Sequence, residues 1–182
     1  MTGYLKAFDE LMNVAGVNAA LEVGCGEGNL AIRLAARGVV VTATEPDGDT
    51  IEGARRLAAR RGVAIRFEKT SIEAMDVAAM RSPLVVCCEV LEHVSSPEAA
   101  LSRLAALAAP WLLASVPREP LWRALNMARG AYWSSRGNTP GHVNHWSKNG
   151  FIDFIGGGFE VVEVRSPLPW TMVLARERKG AG

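Results

Sequence analysis

Short runs of consecutive apolar residues alternate along the chain with longer segments whose apolar positions recur every three to four residues. "AALEV" (19–23), "VVVTAT" (39–44), "VAIRF" (63–67), "LVVCCEV" (84–90) and "WLLASV" (111–116) are of the first kind. Runs of that length fit strands buried on both faces. Between them, "NLAIRLAARG" sets Leu30, Ile32, Leu34 and Ala35 on a helix closed by Gly38, and "PDGDTIEGARRLAARRG" is a helix that ends at Gly62. Pro97 opens the helical stretch "PEAALSRLAALAA", as proline does in a first turn. The opening "MTGYLKAFDELMNVAG" is a further amphipathic helix, with Asp9 and Glu10 inside its apolar pattern. Strands separated by helical segments of about 10–15 residues imply right-handed crossovers and a parallel sheet covered on both faces.

The pattern changes after Pro117. Residues 118–146 hold Trp122, Tyr132, Trp133 and Trp146, broken by Gly130, Gly137, Pro140 and Gly141, and read as an insertion or lid. A helix near 147–156 follows, then "FEVVEVRS" and "WTMVLARER", which "PLP" joins into an antiparallel pair at the sheet edge. The predicted architecture is α/β: a Rossmann-like, seven-stranded, mostly parallel sheet with helices on both faces and an antiparallel C-terminal strand pair. The whole of 1–182 is expected to form a single domain, with the lid at about 118–146.

Composition narrows the classes. With 49% apolar and 21% charged residues in 182, the chain fits a globular domain and not a disordered one. A net charge of +1 gives no global basic field, so neither nucleic acid nor a membrane is an expected partner. "AALSRLAALAAPWLLASV" is interrupted by Arg103 and Pro110 and does not make a membrane span. Cys25, Cys87 and Cys88 lie in apolar runs without a spaced framework, which points to reduced core thiols and a cytoplasmic location. Nothing in the sequence sets the oligomeric state.

Candidate chemistry begins at "LEVGCGEG" (21–28), where Gly24, Gly26 and Gly28 leave the end of the first strand. Glycines there let the backbone turn tightly and approach a ligand with no Cβ in the way. Such an exit is where open parallel sheets bind ligands. A P-loop would need Gly-Lys-Ser/Thr, but Asn29 and Leu30 follow Gly28; a dinucleotide fingerprint would need glycine at position 29. Glu45 ends the second strand about 20 residues after the loop, the place of an acid that accepts hydrogen bonds from a ribose diol.

GxGxG with an acid two residues ahead resembles the class I S-adenosylmethionine (SAM) methyltransferases. "LVVCCEVLEHVSSPEAALSRLAAL" is similar to the strand-four region of those that include the ubiquinone-pathway methyltransferases. The resemblance implies Glu22 and Glu89 near the methionine end and Gly24, Cys25, Gly26 and Gly28 beneath methionine and ribose. It also puts Glu45 on the ribose and Ser71 and Ile72 of "KTSIEAM" at the adenine. Ser71 stands where the family often has aspartate, and Ser82-Pro83 where it often has Phe-Asp.

All three histidines fall in two segments, "EVLEHV" and "GHVNHWS". A helical turn after the fourth strand would set Glu89, Glu92 and His93 on one face at i, i+3 and i+4. Two roles fit. His93 or His145, with Glu92, would be the catalytic group that takes a proton from a hydroxyl. Alternatively Glu89, Glu92, His93 and His145 would bind a divalent metal that acidifies it. Glu-x-x-Glu-His plus a distant histidine is similar to the metal site of methyltransferases of the 3′-terminal 2′-hydroxyl of small RNAs, and a related cluster occurs in ubiquinone-pathway O-methyltransferases. "LEH" is also widespread in relatives for which no metal is implied, where it orients the lid or the next helix. His142 follows "TPG" as a turn residue, so His145-Trp146 is the expected ligand contact.

The expected function is SAM-dependent methyl transfer to a small-molecule acceptor, at oxygen in the leading case. A metal-dependent RNA 2′-O-methyltransferase and a non-catalytic SAM-binding partner subunit are the alternatives.

Overall fold

The computed structural model describes residues 2–178. In chain order the elements are α1 (Thr2–Ala15), β1 (Ala19–Val23), α2 (Asn29–Ala35), β2 (Val40–Thr44), α3 (Gly48–Arg60), β3 (Arg66–Glu68) and α4 (Val77–Met80). There follow β4 (Ser82–Cys88), α5 (Pro97–Leu107), β5 (Ala108–Pro117), α6 (Leu121–Ala128), α7 (Lys148–Gly156), β6 (Glu160–Arg165) and β7 (Trp170–Arg176).

The seven strands form one sheet in the order β3-β2-β1-β4-β5-β7-β6. Pairings from β3 through β5 are parallel; β7 runs antiparallel to both β5 and β6. The expected sheet and its terminal pair are therefore present.

Alternation along the strands divides the core. Ala20, Leu84, Val86, Leu113, Met172 and Leu174 face α1, α2 and α3, where Phe8, Leu11, Leu34, Ile51 and Ala54 are buried. Leu21, Val23, Val85, Leu112, Ala114 and Val173 face α5 and α7, with Leu101, Leu104, Phe151 and Ile155. A period of two sends successive side chains to opposite layers, so uniformly apolar strands serve both.

Local chemistry sets several boundaries. Asp47 caps α3 by accepting from the Thr50 N–H at 2.8 Å, and Ser147 caps α7 through the Gly150 N–H at 3.1 Å. β3 is shorter than the apolar run 63–67 suggests, because Val63 and Ile65 pack on the core from outside the ladder. β4 stops at Cys88, where Glu89 takes a left-handed φ of 59°. Among the described residues no helix is long and apolar enough to cross a membrane.

Candidate functional site

β1 lies between β2 and β4, the point at which successive crossovers turn to opposite sides. The loop leaving it is pinned at once: the Cys25 N–H donates to the Thr44 carbonyl at 2.8 Å. Gly24, Gly26 and Gly28 have φ of 68°, 51° and 79°. A Cβ at Gly24 would lie 2.5 Å from Val90 Cγ2, and one at Gly28 would lie 3.1 Å from the Ala54 Cβ. At Gly26 it would meet nothing within 4 Å. Packing thus demands the outer two glycines, whereas the middle one leaves an open cradle. Glu45 rims that cradle: Oε2 accepts from the Gly26 N–H at 3.0 Å and Oε1 from the Asp47 N–H at 3.2 Å. A carboxylate accepts about four hydrogen bonds, so acceptor capacity remains for a ligand's hydroxyls.

Two cavities adjoin at Gly24. One, of about 350 Å³, is lined by Gly24, Pro46, Ser71, Ile72, Val90 and His93 among others. The second, of about 230 Å³, is lined by Tyr4, Glu22, Gly24, Cys25, Glu89 and Trp170 among others. Their chemistry differs. The first joins apolar walls to hydroxyl and backbone groups and would suit a flat base. The second encloses two carboxyl groups in apolar surroundings and would suit a cation. Glu22 is buried with Oε2 unpartnered, and that burial pushes its carboxyl up to about 8 against the opposing backbone N–H of Ala31. An elongated ligand with a base at one end and an ammonium at the other matches both. Of the residues expected around SAM, Glu22, Gly24, Cys25, Ser71, Ile72 and Glu89 line these cavities, whereas Gly26, Gly28 and Glu45 line neither; the chemistry of the two linings fits SAM.

Glu89 is held in its left-handed conformation by a chain of donors. The Ser115 hydroxyl donates to Oε1 at 2.9 Å and the Trp170 indole N–H to Oε2 at 2.8 Å. Ser115 has a single proton, given to Glu89, so Tyr4 must donate to the Ser115 Oγ, 2.7 Å away. Burial first, with the nearby Cys88 and the Glu89 carboxylate adding to it, holds the Tyr4 phenol well above its ordinary range and keeps it a donor. α1 is tied to the site by this relay.

The carboxylate–histidine cluster is not the one expected. Residues 91–93 form a turn and not a helix, so Glu89, Glu92 and His93 do not share a helical face. Glu89 points its carboxylate at Ser115 and Trp170. His145 is exposed, with its Nε2 2.7 Å from Asn138 Oδ1. The four-residue metal set Glu89, Glu92, His93 and His145 is thus not assembled. Instead Glu92, His93 and His142 offer ligand-type atoms within 4.8 Å of one another. Glu92 is buried with neither oxygen partnered; burial, then the Glu89 charge, push its carboxyl up. His93 has Nδ1 3.0 Å from the Gly141 carbonyl, which makes Nδ1–H the donor and leaves Nε2 free. Burial, then the neighbouring His93 and His145, lower His142 to about 4, so it is neutral at pH 7.

Long-range contacts explain the exchange of histidines. The Asn144 amide donates to the Leu91 and Val94 carbonyls at 3.0 and 2.6 Å, and the N–H groups of Val143 and Asn144 donate to the Glu92 carbonyl. That clamp seats His142 edge-on against His93, ring centres 4.8 Å apart. Asn144, Tyr4, Ser115, Trp170 and Arg103 were not legible as site residues. Arg103 lies on α5 and donates to the Ile72 carbonyl at 2.7 Å and to the Met75 carbonyl, fixing the segment that walls the larger cavity. A basic residue on an otherwise apolar helix face was the available signal.

Known proteins resemble this chain in sequence and in fold. A sequence model described as a methyltransferase domain matches residues 20–111, half of the chain. A ubiquinone biosynthesis O-methyltransferase of Coxiella burnetii is 32% identical over 106 residues, 58% of this chain and 45% of that protein. The Methylocella silvestris protein of the same name is 46% identical over 74 residues, 41% of this chain and 29% of that one. The chain therefore spans less than half the length of these relatives. Among solved structures, the magnesium protoporphyrin IX methyltransferase of Synechocystis with bound SAH superposes with a TM-score of 0.75 at 20% identity, covering 97% of this chain and 84% of that one. The N-methyltransferase NodS of Bradyrhizobium japonicum gives 0.71 at 18% identity and 98% of both chains. At such identities the structures speak for the fold, and it is the sequence match over strands one to four that places the chain: it belongs to the methyltransferase-domain family, within the class I SAM-dependent superfamily.

Proposed function

We propose that the chain transfers a methyl group from SAM to a small-molecule acceptor, most directly to a hydroxyl. One observation carries the reading: two cavities of complementary chemistry meet at Gly24, and the smaller one holds the buried, half-unpartnered carboxyl of Glu22. SAM, when bound, supplies an electrophilic methyl on a sulfonium. The protein's own work is then alignment and exclusion of water. In this reading the bare backbone at Gly26, with Gly24, Cys25 and Gly28 shaping the loop, carries the ligand's middle. Glu45 accepts from the ribose hydroxyls, and Ser71 and Ile72 flank the base. Glu22 and Glu89 face the ammonium in the apolar pocket, where a charge pair is worth more than in water. The curated relatives named as O-methyltransferases support oxygen as the acceptor atom.

A hydroxyl acceptor must lose its proton, and His93 with a free Nε2 is suited to take it. A second reading uses the same cluster as a divalent-cation site of Glu92, His93 and His142. It is favoured by the two unpartnered, buried oxygens of Glu92 and by a carbonyl fixing the His93 tautomer, the usual outer support of a ligating imidazole. Such a cation would acidify a bound hydroxyl. Three buried, unpaired thiols, Cys25, Cys87 and Cys88, support a reducing cytoplasmic setting.

Isothermal titration with SAM, SAH and NAD tests the cofactor. SAM and SAH should bind and NAD should not; NAD binding alone would reject the proposal. Manganese titration into wild type and Glu92→Gln separates the two readings of the cluster. Saturable binding lost in the variant supports the cation; none supports the base. SAM binding with no turnover on any phenolic or alcoholic acceptor, or on RNA 3′ ends, would leave a cofactor-binding subunit as the function.

A further inference from the structure

On the side of the sheet that carries α1, α2 and α3, a groove of about 620 Å³ lies between those helices and takes no part in the chemistry proposed above. Leu5, Ile32, Leu57 and Val63 line it, with Arg33, Arg37 and Arg61. Ile32 and Val63 pack on the core behind it, whereas among the described residues Leu5 and Leu57 belong to neither core layer. The floor is thus aliphatic surface that the fold gathers and leaves half-buried. The basic rim is ordered in advance. Asp9 of α1 holds two guanidinium groups at once: Arg33 Nε donates to Oδ1 at 2.7 Å, its Nη2 donates to Oδ2, and Arg37 Nη1 lies 3.2 Å from Oδ1. One carboxylate does not neutralise two guanidiniums, so the pair keeps a net positive charge and unused N–H donors. Arg61 adds a third cation, and Arg60, three residues from Leu57, shares its side of α3. Both are exposed, and neither has an ion-pair partner among the described residues.

We propose that this groove docks an acidic amphipathic helix of a partner protein, its apolar stripe on Leu5, Ile32 and Leu57 and its carboxylates on Arg33, Arg37 and Arg61. An aliphatic floor beside charged groups is the surface that receives an amphipathic helix. Charge complementarity sets the sign of the partner, since guanidinium forks pair with carboxylates in two parallel hydrogen bonds. Arg33 and Arg37 are already held by Asp9, so less side-chain freedom is lost when a partner meets them. A single-stranded nucleic acid would find cations here but no ring on which to stack, because among the described residues no aromatic side chain lines the groove. Leu5 and Asn29 line both this groove and the smaller of the two cavities at Gly24, so a docked helix would lie against the outer wall of the site. The proposal does not depend on the methyl-transfer reading.

Fluorescence anisotropy with a labelled synthetic peptide and the full chain tests it. The probe is an amphipathic helix of about fifteen residues, with leucine at i, i+3, i+4 and i+7 and glutamate and alanine elsewhere. Two counterparts carry the same residues in scrambled order, or lysine in place of glutamate. The chain should bind the acidic helix saturably, bind each counterpart about tenfold more weakly, and release the helix as salt rises. Arg61→Glu and Leu57→Ala should each lower the affinity about tenfold. Arg129→Glu, the same charge reversal at the exposed end of α6 in the lobe of residues 118–146, should leave it unchanged. Both groove variants alter side chains outside the core layers, and unchanged melting curves would show that they fold. Absence of saturable binding, equal binding of the scrambled peptide, indifference to both groove substitutions, or an equal loss in Arg129→Glu would overturn the proposal. So would retention of single-stranded RNA through Arg61 in place of the peptide. Self-association of the chain that Arg61→Glu and Leu57→Ala abolish would also overturn it, by making a second copy the occupant.

Discussion

At Gly26 a positive φ and an open space coincide, whereas at Gly24 and Gly28 the space is already taken. Gly26→Val would strain the turn and also fill the cradle. It should abolish SAM binding in a titration while costing stability only modestly, because its Cβ meets no protein atom. Tyr4 makes a different kind of contribution. Tyr4→Phe deletes the first donor of the relay to Glu89, a net loss of about 1 kcal/mol of stability. Because the relay ends at the cofactor's proposed ammonium, the same variant should raise the KM for SAM more than it lowers kcat. Steady-state kinetics would show the split.

Glu22 and His142 give the molecule opposing pH dependences. The folded-state value of Glu22 is raised from 4.5 to about 8, so the folded protein holds a proton that the unfolded chain releases. Its contribution is fully present below about 4.5 and is lost as pH rises through about 8. His142 is lowered from 6.5 to about 4, and its contribution is lost as pH falls through that interval. Denaturant titrations should therefore show stability declining from pH 6 toward pH 9, with a shallower decline in Glu22→Gln. An unchanged slope in that variant would contradict the buried, half-unpartnered carboxyl.

Among the elements, α5 does more than cover the sheet. Arg103 reaches from it to the carbonyls of Ile72 and Met75, so the wall of the base-side cavity rests on a helix remote in sequence. Arg103→Ala should loosen that wall and weaken SAM affinity several-fold with little change in helix content, measurable by titration and circular dichroism. α7 and α3 were legible to within a residue or two because their caps, Ser147 and Asp47, act locally. The turn after β4 was not. Helical spacing of Glu89, Glu92 and His93 suggested one face, but the ladder from Glu89 N–H to the Ser115 carbonyl and the indole of Trp170 bend the chain away.

For the whole molecule, the seven-stranded sheet brings β1, β2 and β4 side by side, and that adjacency makes the site. Residues from the first helix, the glycine loop and β7 all line the acidic cavity. Trp170 and Tyr4 also touch edge-on, ring centres 5.1 Å apart, so the two termini of the fold close one pocket.

Alternating short apolar runs and helical repeats settled the fold class, because burial on both sheet faces leaves a pattern in every strand. The glycine loop and Glu45 could be singled out as candidates, since their geometry depends on their own residues and adjacent strand ends; Ser71–Ile72 could be singled out too, but what fixes it, Arg103 of α5, could not. Which histidine joins Glu92 was decided by the tertiary structure alone. The Asn144 clamp is made across about 50 residues of chain, and Tyr4 reaches Ser115 across 111. Hydrogen bonds of that span depend on how the sheet and lobe pack, which no local periodicity records.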